Sequence, residues 1–316
     1  MLDMKMPTVA EAFHEGELAV QSRAGVREQV AERGRAMIRD CMLDQHRIFF
    51  AQLPMIITGC VEKSGQAWAS ILVNPPGFMQ SPDPNKLEIS AMPHSGDPLY
   101  KLLTQGASIA LLGIEQHTRR RNRMNGVVTA VSASSFAVEV QQSFGNCPKY
   151  IQARQATYQS RFESPQVSSY SVLNAAMQRF IETADTFFIA SAHPQSNIAK
   201  VASHGVDVSH RGGKPGFVKI IENSTLLVAD YSGNRMFNTL GNITLNPLAG
   251  LLFIDYESGD CLQLAVNAEV IFDGPLLNEL TGAERVLKMK VTQCLHTIAG
   301  VSLSWGKEVE ISPFLD

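Results

Sequence analysis

Two segments of the chain, WASILVNPPGF (residues 68–78) and DVSHRGGKPGF (residues 207–217), follow the same plan. In both, a short strand-like run reaches a serine, and a turn containing Pro-Gly-Phe follows it. Ser70 therefore matches Ser209, and the first PGF tripeptide matches the second. This correspondence indicates that one β-rich unit occurs twice in the chain.

Further matches follow in the same order along the chain, at offsets of 137 to 140 residues in the numbering. The matched pairs are HSGDPLYKLL from His94 with YSGNRMFNTL from Tyr231, LLGIE from Leu111 with LLFID from Leu251, and Phe49-Phe50 with Phe187-Phe188. The alternative is that two unrelated β domains share apolar strands and Gly-Phe turns, which would scatter the offsets. Because order and spacing both hold, we interpret the chain as an internal duplication.

The duplication predicts a mostly β fold with flanking helices. Strand-like runs separated by Gly, Pro, Asn and Ser clusters are typical of antiparallel architecture. Each half is expected to form a small barrel of about six strands, with a helix after the Ser-Gly dipeptide. The two barrels would pack face to face as an internal pseudo-dimer, and a ligand would bind at their interface.

The predicted domain organisation has four parts. Residues 1–45 form a helical lead-in, and residues 46–155 form the first barrel, whose site is degenerate. Residues 156–182 form a helical linker, in which SVLNAAMQRFIETA is the clearest amphipathic segment. Residues 183–316 form the second barrel, which holds the ligand.

Composition excludes several classes of function. The 316 residues are 45% hydrophobic and 18% charged, which is typical of a globular protein with room for two cores. The formal net charge of −3 gives no strong positive field for generic nucleic-acid binding. No signal-peptide core is found, and no run reaches the roughly 18 apolar residues of a membrane span. We expect a cytoplasmic protein that binds neither nucleic acid nor membrane.

Cysteine and histidine spacing indicates neither a disulfide framework nor a metal site. The five cysteines lie far apart without a C-x-x-C pair. The eight histidines lack an H-E-x-x-H pattern or paired ligand spacing. We therefore expect reduced thiols and no metal. Cys147 precedes Pro148 and is interpreted as a structural thiol rather than a nucleophile.

The loop SHRGGK in the second half has the chemistry of a monophosphate site. It is not a nucleoside-triphosphatase loop, because Val208 stands where the first glycine is required and Lys214 is not followed by Ser or Thr. No G-x-G-x-x-G follows a strand, so a dinucleotide site is not predicted either. Ser209 offers a hydroxyl donor, Arg211 a bidentate guanidinium and Lys214 a further cation.

A second group of candidates lies in DYSGNRMFNTLGNITLNP, residues 230–247. The Ser-Gly-Asn sequence resembles a helix start, whose free backbone N–H groups favour an anion. The candidate ligand-binding side chains here are Asn234, Arg235, Asn238 and Asn242, which recur at helical spacing. The alternative is a solvated, amide-rich helix, and the sequence leaves both open.

Two further basic segments lie in the first half. HTRRRNRMNG, residues 117–126, is expected to be a hairpin turn whose arginines are either solvated or reach across the interface to an anion held by the other half. SFGNCPKYIQAR, residues 143–154, adds Asn146, Lys149 and Arg154 on a turn that leads into a helix.

Together these motifs resemble a known family. The segments FFAQLPMIITGCV, WASILVNPPGF, RRRNRMNG, SFGNCPKYIQAR, DVSHRGGKPGFVKI and GNITLNPLAGLLFIDY are similar to the pyridoxamine 5′-phosphate oxidase-related FMN-binding split-barrel family, and to its long double-barrel members in particular. The resemblance covers nearly the whole chain. It implies that FMN binds between two split β-barrels and that basic and hydroxyl side chains of one barrel grip its phosphate.

The resemblance implies a phosphate grip in the second half. The strand-end position falls on Arg211 with Ser209 beside it, and the helix-start cluster falls on Gly233, Asn234 and Arg235. In the first half, Asn74-Pro75 replaces Gly213-Lys214, and Asp97-Pro98 replaces Asn234-Arg235. An aspartate in place of a cation would repel a phosphate. We therefore expect one FMN site per chain, anchored by the second half.

The function implied by the resemblance is that of an FMN-dependent oxidoreductase acting on a small-molecule substrate. Electrons would come from a reduced nicotinamide or a separate redox protein, and the flavin would carry the chemistry. The alternative is a non-catalytic split-barrel module that binds flavin, haem or another anionic metabolite. No catalytic acid or base is assigned, and the substrate and the association of two chains into a homodimer stay open.

Overall fold

The computed structural model describes residues 12–160, 164–198, 201–222, 224–306 and 308–315. Within these ranges the chain begins with three helices, α1 (Glu15–Arg23), α2 (Arg27–Met37) and α3 (Asp44–Gln52). The ring of His14 caps α1 by accepting a hydrogen bond from the N–H of Gly16. The predicted helical lead-in is helical over these residues, and its first 11 residues lie outside the described ranges.

The first sheet contains seven antiparallel strands in the order β2-β1-β5-β6-β7-β4-β3. A short helix, α4 (Pro98–Leu102), lies between its fourth and fifth strands. The strands are β1 (Met55–Val61), β2 (Ala67–Val73), β3 (Met79–Gln80), β4 (Lys86–Ile89), β5 (Ser108–Glu115), β6 (Arg120–Val131) and β7 (Phe136–Gly145).

The second sheet repeats this order as β11-β10-β14-β15-β16-β13-β12. Helix α6 (Asn238–Leu245) takes the place of α4, and α7 (Pro275–Asn278) lies before the last strand. The strands are β10 (Thr186–Ala192), β11 (Val206–Gly212), β12 (Val218–Ile221), β13 (Thr225–Asp230), β14 (Leu248–Ile254), β15 (Cys261–Ile271) and β16 (Arg285–Ile298).

The identical strand order confirms the predicted duplication. Ser70 and Ser209 each occupy the fourth position of a seven-residue strand, β2 and β11. The match of Phe49-Phe50 with Phe187-Phe188 is wrong, because the first pair lies in α3 and the second in β10. Short apolar runs do not distinguish a buried helix from a buried strand.

The continuous apolar runs of the sequence are strands that are buried on both faces. In β1, Ile56 and Cys60 face the core of the first sheet, whereas Met55 and Ile57 face a core shared by both halves. In β10, Phe187 faces the core of the second sheet, and Phe188 faces the shared core. The two halves therefore pack against each other through a common apolar layer.

The segment between the sheets differs from the predicted helical linker. Strand β8 (Ala156–Tyr158) pairs with β17 (Leu303–Trp305), and β9 (Gln166–Tyr170) pairs with β16. Among the described residues of this segment, only α5 (Ala175–Thr183) is helical, with Asn174 as its cap. The connection is thus tied to the second sheet, and the exact domain boundaries stay a prediction. Over the described residues, no helix has the length and apolar character needed to cross a membrane.

Candidate functional site

A cavity of about 110 Å³ lies where the two halves meet. The first half contributes side chains from β5, β6 and the loop after β7. The second half contributes the end of β11, the loop after β13 and the first turn of α6. The lining residues used below are Arg121, Arg123, Asn146, Lys149, Tyr150, Ser209, His210, Arg211, Asp230, Asn234, Arg235, Phe237 and Asn238.

Arg123 of β6 joins the first half to the second half at this cavity. Its guanidinium Nη1 donates to Asp207 Oδ1 at 2.8 Å and to Asn238 Oδ1 at 2.9 Å. Its Nη2 donates to the Ser209 hydroxyl, which also accepts from Thr239 Oγ1 at 3.0 Å. The side chain of Arg123 is only 3% exposed. A cation of the first half therefore lies against polar side chains of the second half at this cavity.

Arg211, the strand-end arginine, is paired with a carboxylate. Its Nη1 donates to Asp230 Oδ1 at 2.6 Å. The other oxygen of Asp230 accepts from Arg285 Nε at 2.8 Å, and Asp230 faces Arg285 in the pairing of β13 with β16. Asp230 thus lies between two guanidinium groups. Arg285 Nη2 also donates to Glu284 Oε2 at 2.6 Å, so the two arginines and two carboxylates of this group balance in charge.

Two further arginines add positive charge. Arg121 donates from Nε to the carbonyl of Cys147 at 2.7 Å. Burial lowers the pKa of Arg121 to about 10, and the nearby Arg123 and Arg211 contribute to the decrease, so Arg121 stays protonated at neutral pH. Arg235 lies 4.0 Å from Glu284. The basic side chains around the cavity outnumber the carboxylates that line it.

Several buried nitrogens at the cavity have no hydrogen-bond partner among the described residues. They are Arg123 Nε, Arg211 Nε, Asn146 Nδ2 and both ring nitrogens of His210. Leaving a buried donor unsatisfied costs about 1–3 kcal/mol, and native structures contain few such groups. A ligand rich in acceptor oxygens, such as a phosphate group, would satisfy the arginine and asparagine donors of this set.

The N-terminus of α6 opens onto the same cavity. Phe237, Asn238 and the next two residues line it, and no described side chain caps the helix. The first N–H groups of a helix have no intrahelical partner and favour an anion. Phe237, the residue before the helix, has the left-handed conformation with φ of 61°.

The equivalent helix of the first half is already capped. Asp97 precedes α4, and its Oδ1 accepts from the N–H of Leu99 at 2.8 Å and from Ser70 Oγ at 2.6 Å. Gln263 Nε2 donates to its other oxygen at 3.2 Å. A carboxylate of the chain therefore occupies the place that a ligand anion would take in the second half.

This geometry corrects the residue match on which the sequence analysis depended. Helices α4 and α6 start at 98 and 238, and strands β5 and β14 start at 108 and 248, so both pairs differ by 140. Asp97 therefore corresponds to Phe237 and not to Asn234. The expected absence of a phosphate site in the first half stays a prediction, now supported by the cap that Asp97 forms.

Five of the seven predicted ligand-binding residues line the cavity, namely Ser209, Arg211, Asn234, Arg235 and Asn238. The other two do not. Lys214 is exposed on the turn after β11. Asn242 is 1% exposed and donates to Ser191 Oγ at 3.2 Å and to Asp207 Oδ2 at 3.4 Å. The ligand-binding role of the five stays a prediction.

The arginine-rich segment is not simply a hairpin turn. The turn spans Gln116–Thr118, and β6 begins at Arg120. Because side chains alternate along a strand, Arg121 and Arg123 line the cavity, whereas Arg120 lies over the ring of Phe49. The alternation was visible in the sequence and supports the expectation that part of this segment crosses the interface.

Backbone strain is concentrated at the cavity. Tyr150, Arg235 and Phe237 line it and have φ angles of 65°, 62° and 61°. A left-handed conformation is unfavourable for residues with a side chain and is common at ligand sites. The hydroxyl of Tyr150 donates to the carbonyl of Ser232 at 2.9 Å, which fixes the loop of the first half against that of the second.

A histidine cluster lies behind α6, away from the cavity. Potential ligand atoms of His14, Glu15 and His193 lie within 4.8 Å of one another. However, Nδ1 of each histidine accepts from a backbone N–H at 3.1 Å. The proton of each neutral ring is therefore on Nε2, the atom that faces the carboxylates, where a metal would need a lone pair. We assign no metal to these three residues.

Three solved structures are each similar to 38–42% of this chain. No protein-family model matches, and no curated protein sequence matches. HupZ of Group A Streptococcus is 13% identical over 38% of this chain and 89% of its own, with a TM-score of 0.30. An FMN-binding protein from Syntrophomonas wolfei is 11% identical over 38% and 81%, with a TM-score of 0.28.

A third solved structure, from Clostridium acetobutylicum, is of a protein related to general stress protein 26 and assigned to the pyridoxinephosphate oxidase family. It is 10% identical over 42% of this chain and 92% of its own, with a TM-score of 0.28. The matched structures thus include the group of proteins that the sequence resembles. At these identities and TM-scores they carry no argument about ligand or activity.

Proposed function

We propose that the cavity binds the phosphate group of FMN and that the protein is a flavoprotein. The observation that carries this proposal is the set of buried, unpartnered donors beside the uncapped start of α6. Phosphate offers several acceptor oxygens and a negative charge, which is what Arg123, Arg211 and a helix N-terminus favour.

The residues present fit a phosphate group in number and in chemistry. Arg121, Arg123, Ser209, Arg211 and the first turn of α6 line the cavity and would hold it. The enclosed volume of about 110 Å³ is below the roughly 300 Å³ of a pocket for a whole drug-sized ligand. The rest of FMN would therefore extend beyond the cavity.

The proposed activity is that of an oxidoreductase. FMN, when bound, supplies the hydride and electron transfer, and this chain would bind, orient and shield it. The apolar layer shared by the two halves, which includes Leu112 and Phe188, lies beside the cavity and would exclude water. A reduced nicotinamide or a separate redox protein is proposed as the electron donor, and a small molecule as the substrate.

Reconstitution with FMN tests the proposal. The purified protein is incubated with FMN, desalted and measured for flavin absorbance at about 450 nm, followed by bleaching with a reduced nicotinamide. Retained flavin that bleaches supports an oxidoreductase. Retained flavin that no donor reduces would favour the non-catalytic binding module. No retained flavin, together with binding of inorganic phosphate, would indicate another phosphorylated metabolite.

A pair of arginine variants makes the test specific for the cavity. Arg211→Gln removes a cavity cation, while Asp230 keeps its second partner, Arg285. Arg120→Gln removes an exposed arginine at the start of β6 that does not line the cavity. Weakened FMN binding in the first variant and unchanged binding in the second would support the site.

A further inference from the structure

His210 is a buried histidine at the cavity that the phosphate grip does not use. It is 6% exposed and lies on β11 between Ser209 and Arg211, so its side chain points to the opposite face of the strand. Its ring meets that of Phe188 at 5.7 Å between centroids, and Phe188 belongs to the core shared by the two halves. His210 therefore lines the interface side of the cavity.

The ring of His210 is uncharged. Burial lowers its pKa well below the ordinary value, and the guanidinium groups of Arg121, Arg211 and Arg154 lower it further. A neutral imidazole carries one N–H donor and one acceptor nitrogen. Neither ring nitrogen has a partner among the described residues.

The acceptor nitrogen distinguishes His210 from the other unpartnered groups of the cavity. Arg123 Nε, Arg211 Nε and Asn146 Nδ2 are donors, and the oxygens of a fully ionised phosphate satisfy donors only. The acceptor nitrogen of His210 needs an N–H or O–H group, which a bare oxyanion does not supply. A phosphate ester with a hydroxyl or a ring N–H does supply one.

We propose that His210 recognises the part of the ligand beyond its phosphate, and that it selects phosphate esters carrying an N–H or O–H group over bare oxyanions. This inference rests on the proposed function, because it takes the phosphate to be held by the arginine side of the cavity. FMN belongs to the selected class, since it has both hydroxyl groups and a ring N–H. His210 would be a specificity-determining residue.

The test compares FMN with sulfate, a bare oxyanion that carries no proton at neutral pH, as probes for three forms of the full chain. His210→Phe keeps a ring against Phe188 and removes both nitrogens. We expect its affinity for FMN to fall about tenfold, the loss associated with one hydrogen bond, while its affinity for sulfate stays within about twofold of the native value. His210→Gln, which keeps an uncharged donor and acceptor, should retain most of the FMN affinity.

Nitrogen-15 NMR of the His210 imidazole reports hydrogen bonding at the ring nitrogens, which a purely packing role of the ring would not change. We expect the His210 signals to be those of a neutral ring from pH 6 to 8, and to shift with FMN but not with sulfate. If His210→Phe does not fold, the NMR shifts of the native chain and the affinities of His210→Gln test the inference instead.

Two outcomes separate the inference from the proposed function. If the native protein binds FMN, and His210→Phe binds FMN equally well or loses FMN and sulfate to the same extent, the inference is wrong while the flavin proposal stands. If the native protein binds sulfate but not FMN, the flavin proposal fails. Selection of hydroxyl-bearing phosphate esters over sulfate, lost in His210→Phe, would then still support the role of His210.

Discussion

Arg123 of the first half and Asp207 of the second half form a buried ion pair, with 2.8 Å between Nη1 and Oδ1. Asp207 also accepts from Asn125 Nδ2 at 2.9 Å, so the carboxylate holds two side chains of β6. The pair fixes the guanidinium beside Ser209 and Asn238. Both halves therefore line this cavity, and the separate second barrel would lack its innermost cation.

Breaking this pair should be costly. In Arg123→Met the Asp207 carboxylate stays buried without its main partner, which typically costs about 3–5 kcal/mol of unfolding free energy. Urea unfolding of the variant and of Arg120→Gln, an exposed-arginine control, measures the effect. The control should change by about 0.5 kcal/mol or less. Equal stability of the two variants would mean that the pair does not join the halves energetically.

Arg211→Gln should weaken ligand binding with little loss of stability. Asp230 keeps its hydrogen bond from Arg285, so we expect the unfolding free energy to change by about 1 kcal/mol or less. Anion affinity should fall about tenfold, since a charge-assisted hydrogen bond contributes about 1.5–3 kcal/mol. Titration calorimetry with FMN and urea unfolding check the two expectations. Unchanged affinity would remove Arg211 from the site.

Lys214→Ala should have no effect on ligand affinity. The sequence places Lys214 in the glycine-rich loop, but the structure places it on an exposed turn, where its carbonyl accepts from the N–H of Phe217 at 2.9 Å. The same FMN titration serves as the measurement. A tenfold loss would show that the turn closes over the ligand, and would restore Lys214 to the site.

The duplicated strands and turns could be predicted from the sequence, because short local motifs mark them. Ser70 and Ser209, with the PGF turns after them, mark equivalent strands because turn residues and strand period survive duplication. The match of the Ser-Gly dipeptides before α4 and α6 is three residues out of register. The two segments contain similar residues there, but these residues do not occupy equivalent positions in the structure. The starts of the helices, 98 and 238, and of the next strands, 108 and 248, reveal this.

The rest depended on contacts between distant segments. The pairing of Asp230 with Arg285 comes from the register of β13 against β16, which no short motif encodes. The contacts of Asp207 with Arg123 and Asn125, and the closeness of His210 to Arg121, likewise arise only when β11 meets β6 of the other half. By contrast, the alternation of Arg121 and Arg123 along β6 was available from the sequence alone.

The histidine cluster predicts an acid-sensitive fold. Burial, and then the neighbouring His193, lower the pKa of His14 from 6.5 to about 4. Below pH 6.5, His14 is protonated in the unfolded chain but stays neutral in the folded chain. The free energy of unfolding should therefore fall as the pH drops from 6.5 to 4, by up to about 3 kcal/mol. Glu17 lies 3.5 Å from His14, and burial and the nearby Asp207 raise its pKa. Above the pKa that Glu17 has in the unfolded chain, its contribution to stability rises as the pH falls, which opposes the effect of His14.

Urea unfolding at pH 7 and pH 4.5 measures this dependence. In His14→Gln the loss of stability between the two pH values should be smaller than in the native chain, because the group that resists protonation is gone. His117→Gln, which changes a histidine on the exposed turn before β6, is the matched control and should leave the loss unchanged. Identical pH dependence in all three forms would contradict the role of His14.

The stoichiometry of FMN binding tests the single shared site most directly. Equilibrium titration of the purified chain, followed by flavin fluorescence, should give one FMN per chain, displaced by excess inorganic phosphate and weakened by Arg211→Gln. Because Asp97 caps α4, we predict no equivalent site in the first half. Two FMN molecules per chain, or no saturable binding, would contradict this arrangement.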